Sequence, residues 1–154
     1  MRFRYLGLYL TLLPFSIIAG EKISIDIKVP LPETANLAPA QTGASIFLMR
    51  SDWAVATELG EDVAVWLSDY ERKENIIGQQ VISLLIEIRE PSVLRTGNLI
   101  NKDRITVRYW PSPIESGRFN QKILNDLDMI SNELKQEAYH LGKKIEAHLR
   151  SSLK

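Results

Sequence analysis

The chain has 154 residues, no cysteine, and a net charge of zero from 19 basic and 19 acidic side chains. Its length is that of one domain, and the missing thiols exclude a disulfide framework, a cysteine nucleophile, a Cys-ligated metal and a lipid-bearing cysteine. Balanced charge leaves no basic footprint for nucleic acid.

Arg2 and Arg4 precede an apolar run from Tyr5 to Ile18, followed by Ala19-Gly20 and the charged Glu21. A basic start, a short apolar centre and a small-residue exit predict a secretory signal peptide over 1–20. The run falls short of the roughly 20 residues a bilayer span needs. The expected location is periplasmic or secreted, with membrane contact only if the signal is retained. Residues 21–154 are expected to form a single α+β domain, with a sheet and first helix in 22–115 and a long C-terminal helix in 116–153.

Within that domain Ile23, Ile25, Ile27 and Val29 alternate with Lys22, Ser24, Asp26 and Lys28, the pattern of a half-buried strand. Pro30 and Pro32 end it, because proline has no amide to give a strand ladder. Leu31 to Gly43, rich in Pro, Ala, Asn and Thr, predicts a loop. Ile46 to Met49 is apolar on both faces, as in a central strand. Ser51 or Asp52 can then cap a helix. Val55, Ala56, Leu59, Val63, Trp66, Leu67 and Tyr70 recur at helical spacing, opposite Glu58, Glu61, Asp62 and Asp69. That predicts an acidic amphipathic helix ending near Asn75. The alternation of Val63, Val65 and Leu67 offers a strand as its rival.

Gln80 to Arg89 predicts a second central strand. Ile105, Val107 and Tyr109 alternate with Thr106, Arg108 and Trp110, giving a strand with one wet face that pairs antiparallel with it. After Pro111-Ser112-Pro113, Ser116-Gly117 opens the last helix. Ile123, Leu127, Ile130, Leu134, Ala138, Leu141, Ile145 and Leu149 step by three or four, which keeps an apolar stripe straight along one helix. Gly142 inside the pattern marks a bend or a close approach. The expected fold is α+β: a four-stranded, largely antiparallel sheet packed on one face by the acidic helix and the long C-terminal helix. That order resembles periplasmic auxiliary subunits of bacterial transport and secretion machines, although fold alone does not fix function.

No catalytic constellation stands out. His140 and His148 lie on neighbouring faces of one helix rather than stacked at i,i+4 as in a zinc pair. No serine sits in a G-x-S-x-G elbow, and no glycine-rich phosphate loop occurs. Glu58, Glu61 and Asp62 cluster, but on the solvated side of their helix. The reading is a non-enzymatic protein without metal or cofactor.

The last helix, about 36 residues and about 54 Å long, exceeds the roughly 35 Å diameter of such a domain. Its overhanging stripe is therefore the expected docking surface for another envelope protein or a second copy. Leu141, Ile145 and Leu149 are its apolar centre, with Lys143, Lys144 and Arg150 at the rim. Trp110, beside stiff prolines, is a further candidate anchor. The alternative function is a carrier of a small apolar or lipid-like ligand held between sheet and helices.

Overall fold

A computed structural model describes residues 21–58, 62–111 and 119–154. The expected signal peptide, the Ser116-Gly117 helix start and the segment 59–61 lie outside the described residues. The fold is mixed α+β: one five-stranded sheet in the order β2-β1-β3-β4-β5, with three α-helices among the described residues.

The first strand, β1 (Ile23–Lys28), forms where the alternation predicts it. The expected loop is instead a helix, α1 (Thr34–Met49), which also absorbs the expected strand at Ile46–Met49. Its buried face combines Leu37, Ala40, Gly43, Ala44 and Leu48. Small residues line the contact, so the helix carries little amphipathic signal despite being packed. β2 (Ala54–Ala56) and β3 (Val63–Glu74) replace the acidic helix. β1 pairs parallel with both, so the sheet is five-stranded and mixed rather than four-stranded and largely antiparallel. β4 (Gln80–Arg89) and β5 (Leu99–Tyr109) follow as an antiparallel pair, with β3 also antiparallel to β4.

The helical spacing in β3 has a structural origin. Its register with β4 shifts between Ser68 and Glu71, where two residues oppose one, and Asp69 sits at φ 56°. A bulge of this kind reverses the in–out phase of a strand. Val63, Val65 and Leu67 therefore face the core before it, while Tyr70 and Arg72 face the helix side after it. The composite mimics a helical period.

The C-terminal rod is also divided. α2 (Gln121–Asp126) is capped by the Asn120 side chain, which accepts from the amides of Lys122 and Ile123. A 3₁₀ turn over Leu127–Met129 follows, and α3 (Asn132–Leu153) begins after Ser131. The chain breaks there and not at Gly142. Gly142 is instead a point of close approach: a Cβ on it would lie 2.5 Å from the backbone of Gly43, and one on Gly43 would lie 2.0 Å from the Ala138 carbonyl oxygen. The two helices meet backbone to backbone over the sheet.

The core lies between one sheet face and α1 and α3, with Ile25, Leu67, Ile82, Leu84, Ile86 and Ile88 meeting Leu37, Leu48, Leu141, Ile145 and Leu149. A second cluster of Ile46, Ile123, Leu124, Leu127, Ala138 and Tyr139 seats α2. The opposite sheet face carries Trp66, which is not in the main core as its spacing suggested. Its ring lies between the Lys28 ammonium and the Arg95 guanidinium, at 5.8 and 5.6 Å.

Candidate functional site

Two polar constellations tie α3 to the rest of the molecule. In the first, the β3 bulge turns Tyr70 toward α3, where its hydroxyl donates to Glu137 Oε2 at 2.9 Å, and Arg72 Nη1 donates to Oε1 at 3.0 Å. Burial raises the Glu137 carboxyl above its ordinary range, opposed by the Tyr70 hydrogen bond and the Arg72 charge. The same burial drives the Tyr70 phenol upward. Tyr109, also desolvated, is pushed up to about 12 and stacks on His140 with ring centroids 4.6 Å apart. Burial lowers the His140 pKa, with Lys143 adding to the shift. In the second, Trp53 Nε1 donates to Glu146 Oε2 at 2.8 Å, while Arg150 grips both Glu146 oxygens at 3.1 and 3.0 Å. Each of these two carboxylates is gripped by two neighbouring side chains and so braces α3 against the rest of the fold.

The candidate site is a cleft between α1 and the β1/β2 edge, about 510 Å³ in volume. β2 stops at Ala56 while β1 continues to Lys28, so among the described residues no strand pairs with the outward carbonyl of Ile27. Gln41 Nε2, from α1, donates to it at 2.8 Å and closes that backbone group. Ile27 and Ile46 supply an apolar floor. The walls carry Met49, Val55 and Met129, which are 58%, 42% and 80% exposed. Met49 and Met129 are the only methionines after Met1, and both stand at this cleft. Unbranched, polarizable thioethers suit a surface that must adapt to what it receives. Ser45, Thr42 and Gln41 add polar edges. The volume lies in the range of ligand sites, and the exposed methionines make it an open trough.

The structure separates the residues picked out by spacing. Leu141, Ile145 and Leu149 are 0% exposed and pack in the main core, so they cannot form an accessible stripe. The divided rod explains this: α3 alone, at 22 residues, lies along the sheet instead of overhanging it. Arg150 is occupied by Glu146, and Trp53 is buried against the same carboxylate. Lys143 and Lys144 are exposed, and Lys144 lines a groove beside β5. Trp110 is 54% exposed, its ring against Gly78 at the β3–β4 turn, where Ile76 and Ile77 are also exposed. The α1/β2 cleft is absent from the spacing argument because α1 itself was read as a loop. The sequence points toward it only through the small-residue run of Ala38 to Ser45 that precedes Met49.

No protein family matches the chain, and no curated protein is similar to it in sequence. Among solved structures, the crystal structure of a minor lipoprotein from Acinetobacter baumannii is similar at 14% identity and a TM-score of 0.38, covering 84% of this chain and 86% of that chain. Among the described residues, no helix is long and apolar enough to cross a membrane.

Proposed function

We propose that the protein is a non-catalytic, exported accessory protein of the cell envelope that docks an apolar segment of a partner protein in the α1/β2 cleft. The observation carrying this reading is the convergence of Met49, Val55 and Met129, all exposed, on one trough with an Ile27/Ile46 floor. Single exposed apolar residues are ordinary on protein surfaces; a rimmed cluster marks an interaction site. The basic-apolar leader of the sequence supports the envelope location. The docking surface is thus moved from the α3 stripe, which the core consumes, to the opposite side of α1.

A photo-crosslinker placed at Met129 tests this in envelope preparations. The expected result is a discrete protein adduct that disappears when Met49→Asp charges the trough, while a crosslinker at Glu133 gives no such adduct. An adduct insensitive to Met49→Asp would defeat the assignment. The second reading, a carrier of a small apolar or lipid-like ligand, draws on the apolar floor and the cleft volume. In that case native mass spectrometry of the purified chain finds a bound lipid-sized mass, lost in the same Met49→Asp variant.

A further inference from the structure

The sheet has a second open boundary, and its chemistry differs from that of the cleft. β5 is 11 residues long and, among the described residues, pairs only with β4. In an antiparallel strand, alternate residues turn both N–H and C=O to the same side. The Arg104 amide donates at 2.8 Å to its neighbour Asp103 Oδ1, which places Arg104 among the outward set. Lys102, Thr106 and Arg108 share its parity, so these three present backbone donors and acceptors along the edge, and Arg104, its amide held by Asp103, presents its carbonyl.

That edge is not open on all sides. α3 runs beside it, and the two enclose a groove of about 530 Å³ between Asp103–Thr106 and the helix face bearing Lys144, Ala147, His148 and Ser151. His148 Nε2 lies 3.1 Å from Asn101 Oδ1 and fixes the helix against the start of the strand. A sheet edge walled by a helix is the geometry in which an extended peptide adds as a further strand.

Charge selects among occupants. The outward residues carry Lys102, Arg104 and Arg108 on the sheet's outer face, and Lys144 stands on the helix side. Arg104 is shared with Asp69, and Asp103 is engaged at the strand's own amide. A second copy of β5, paired antiparallel about Ile105, would set Lys102 opposite Arg108, and like charges directly across a ladder are destabilising. A strand with acidic side chains meets cations on both of its faces. We infer that the β5/α3 groove is a strand-addition site for an extended acidic segment of another protein. It is independent of the α1/β2 cleft and stands if that reading fails.

Amide NMR on the full chain, titrated with an octapeptide of two Glu-Glu-Val-Val repeats, which presents Glu on both faces of an added strand, and with its Lys-Lys-Val-Val counterpart, tests the inference. The acidic peptide is expected to shift the Lys102, Arg104, Thr106 and Arg108 amides, and the basic peptide is not. Lys144→Glu should weaken binding about fivefold, the size of one exposed ion pair. Thr106→Pro should abolish it, since proline at an outward edge position removes a docking donor without breaking a ladder bond. If Thr106→Pro does not fold, Lys144→Glu decides. Equal binding of both peptides, no shift along β5, or unchanged affinity in Lys144→Glu overturns the proposal. So does a concentration-dependent dimer that Thr106→Pro dissolves.

Discussion

Where α1 crosses α3, backbone meets backbone with no room for a methyl group; where β2 and β5 end the sheet, troughs of about 510 and 530 Å³ stand open. The helix layer is specified by small residues, which let main chains approach, and by the Glu137 and Glu146 braces. The edges are specified by what blocks unwanted pairing. β2 is only three residues long and hands its unpaired neighbour to Gln41. β5 is long and relies on cations. The contrast separates residues whose loss should unfold the protein from residues whose loss should leave it folded but unable to bind.

The largest effect is expected at the crossing. In Gly43→Ala the new Cβ would lie 2.0 Å from a backbone oxygen of α3, so the helices must separate. Overpacking of this kind costs typically 1–3 kcal/mol and sometimes more, and against main chain we expect about 3 kcal/mol or above. Denaturant unfolding measures it. A loss under about 1 kcal/mol would mean the crossing is looser than the geometry requires.

Glu137→Ala comes next. It strips a buried acceptor from Tyr70 and Arg72 together, the Tyr70 hydroxyl losing its partner in a half-buried site. Arg72 is partly exposed and can rehydrate, so the cost is put at about 2 kcal/mol, below that of breaking a fully buried pair. Glu137→Gln, which keeps an acceptor, should recover part of it. An equal loss in both variants would show that shape rather than hydrogen bonding matters at the site.

These two positions also explain what the sequence could and could not disclose. β1 and the second half of β5 were legible because their alternation is unbroken, and β4 because it is a short, almost wholly apolar run that stops before Pro91. The first half of β5, with Asn101, Lys102 and Asp103, carries turn-type residues and was not legible. α1 was not. Its contact face is Ala40, Gly43 and Ala44, small residues that carry almost no hydropathy, and it contains Pro39. β3 was misread because the Asp69 bulge shifts the phase of Tyr70 and Arg72, so a strand acquires the i, i+3, i+4, i+7 pattern of a helix. The apolar stripe from Ile123 to Leu149 was correctly seen as continuous in character. Continuity of burial is not continuity of backbone, however, and Ser131 starts a new helix inside it. Of the candidate site residues the charged rim and Trp110 lie in the open, Arg150 with its guanidinium taken by Glu146, while Leu141, Ile145 and Leu149 are in the core, because a stripe alone does not say whether core or partner covers it.

A smaller, pH-dependent effect sharpens the description of the helix layer. Burial lowers the His140 pKa, so the unfolded chain takes up a proton there before the folded one does. Stability is thus fully present above the ordinary imidazole value near 6.5 and is lost as pH falls below it, by up to about 1.4 kcal/mol per pH unit until the folded value is reached. Glu137 runs the other way: its raised pKa gives a contribution present at low pH and lost as pH rises through the folded value. His140→Phe preserves a ring against Tyr109 and should flatten the decline just below pH 6.5. A slope unchanged in that variant would assign the proton to another group.

The smallest effect on stability, and the most informative about the edges, belongs to Met49→Ala and Met129→Ala. Both side chains are more than half exposed, so little packing is lost and each change should stay within about 0.5 kcal/mol of the parent. Their thioethers nonetheless form the walls of the α1/β2 trough. If that trough receives an apolar segment, the double variant keeps the parental unfolding midpoint, while a photo-crosslinker moved to Val55, on the same wall, captures the partner in the parent and not in the double variant. A substantial drop in stability would show that the methionines complete the α2 cluster instead, and the trough would then be a gap in packing and not a seat for a partner. Equal midpoints with equal adduct yields would leave the sheet's long edge, with its cations, as the surface by which this fold meets other proteins.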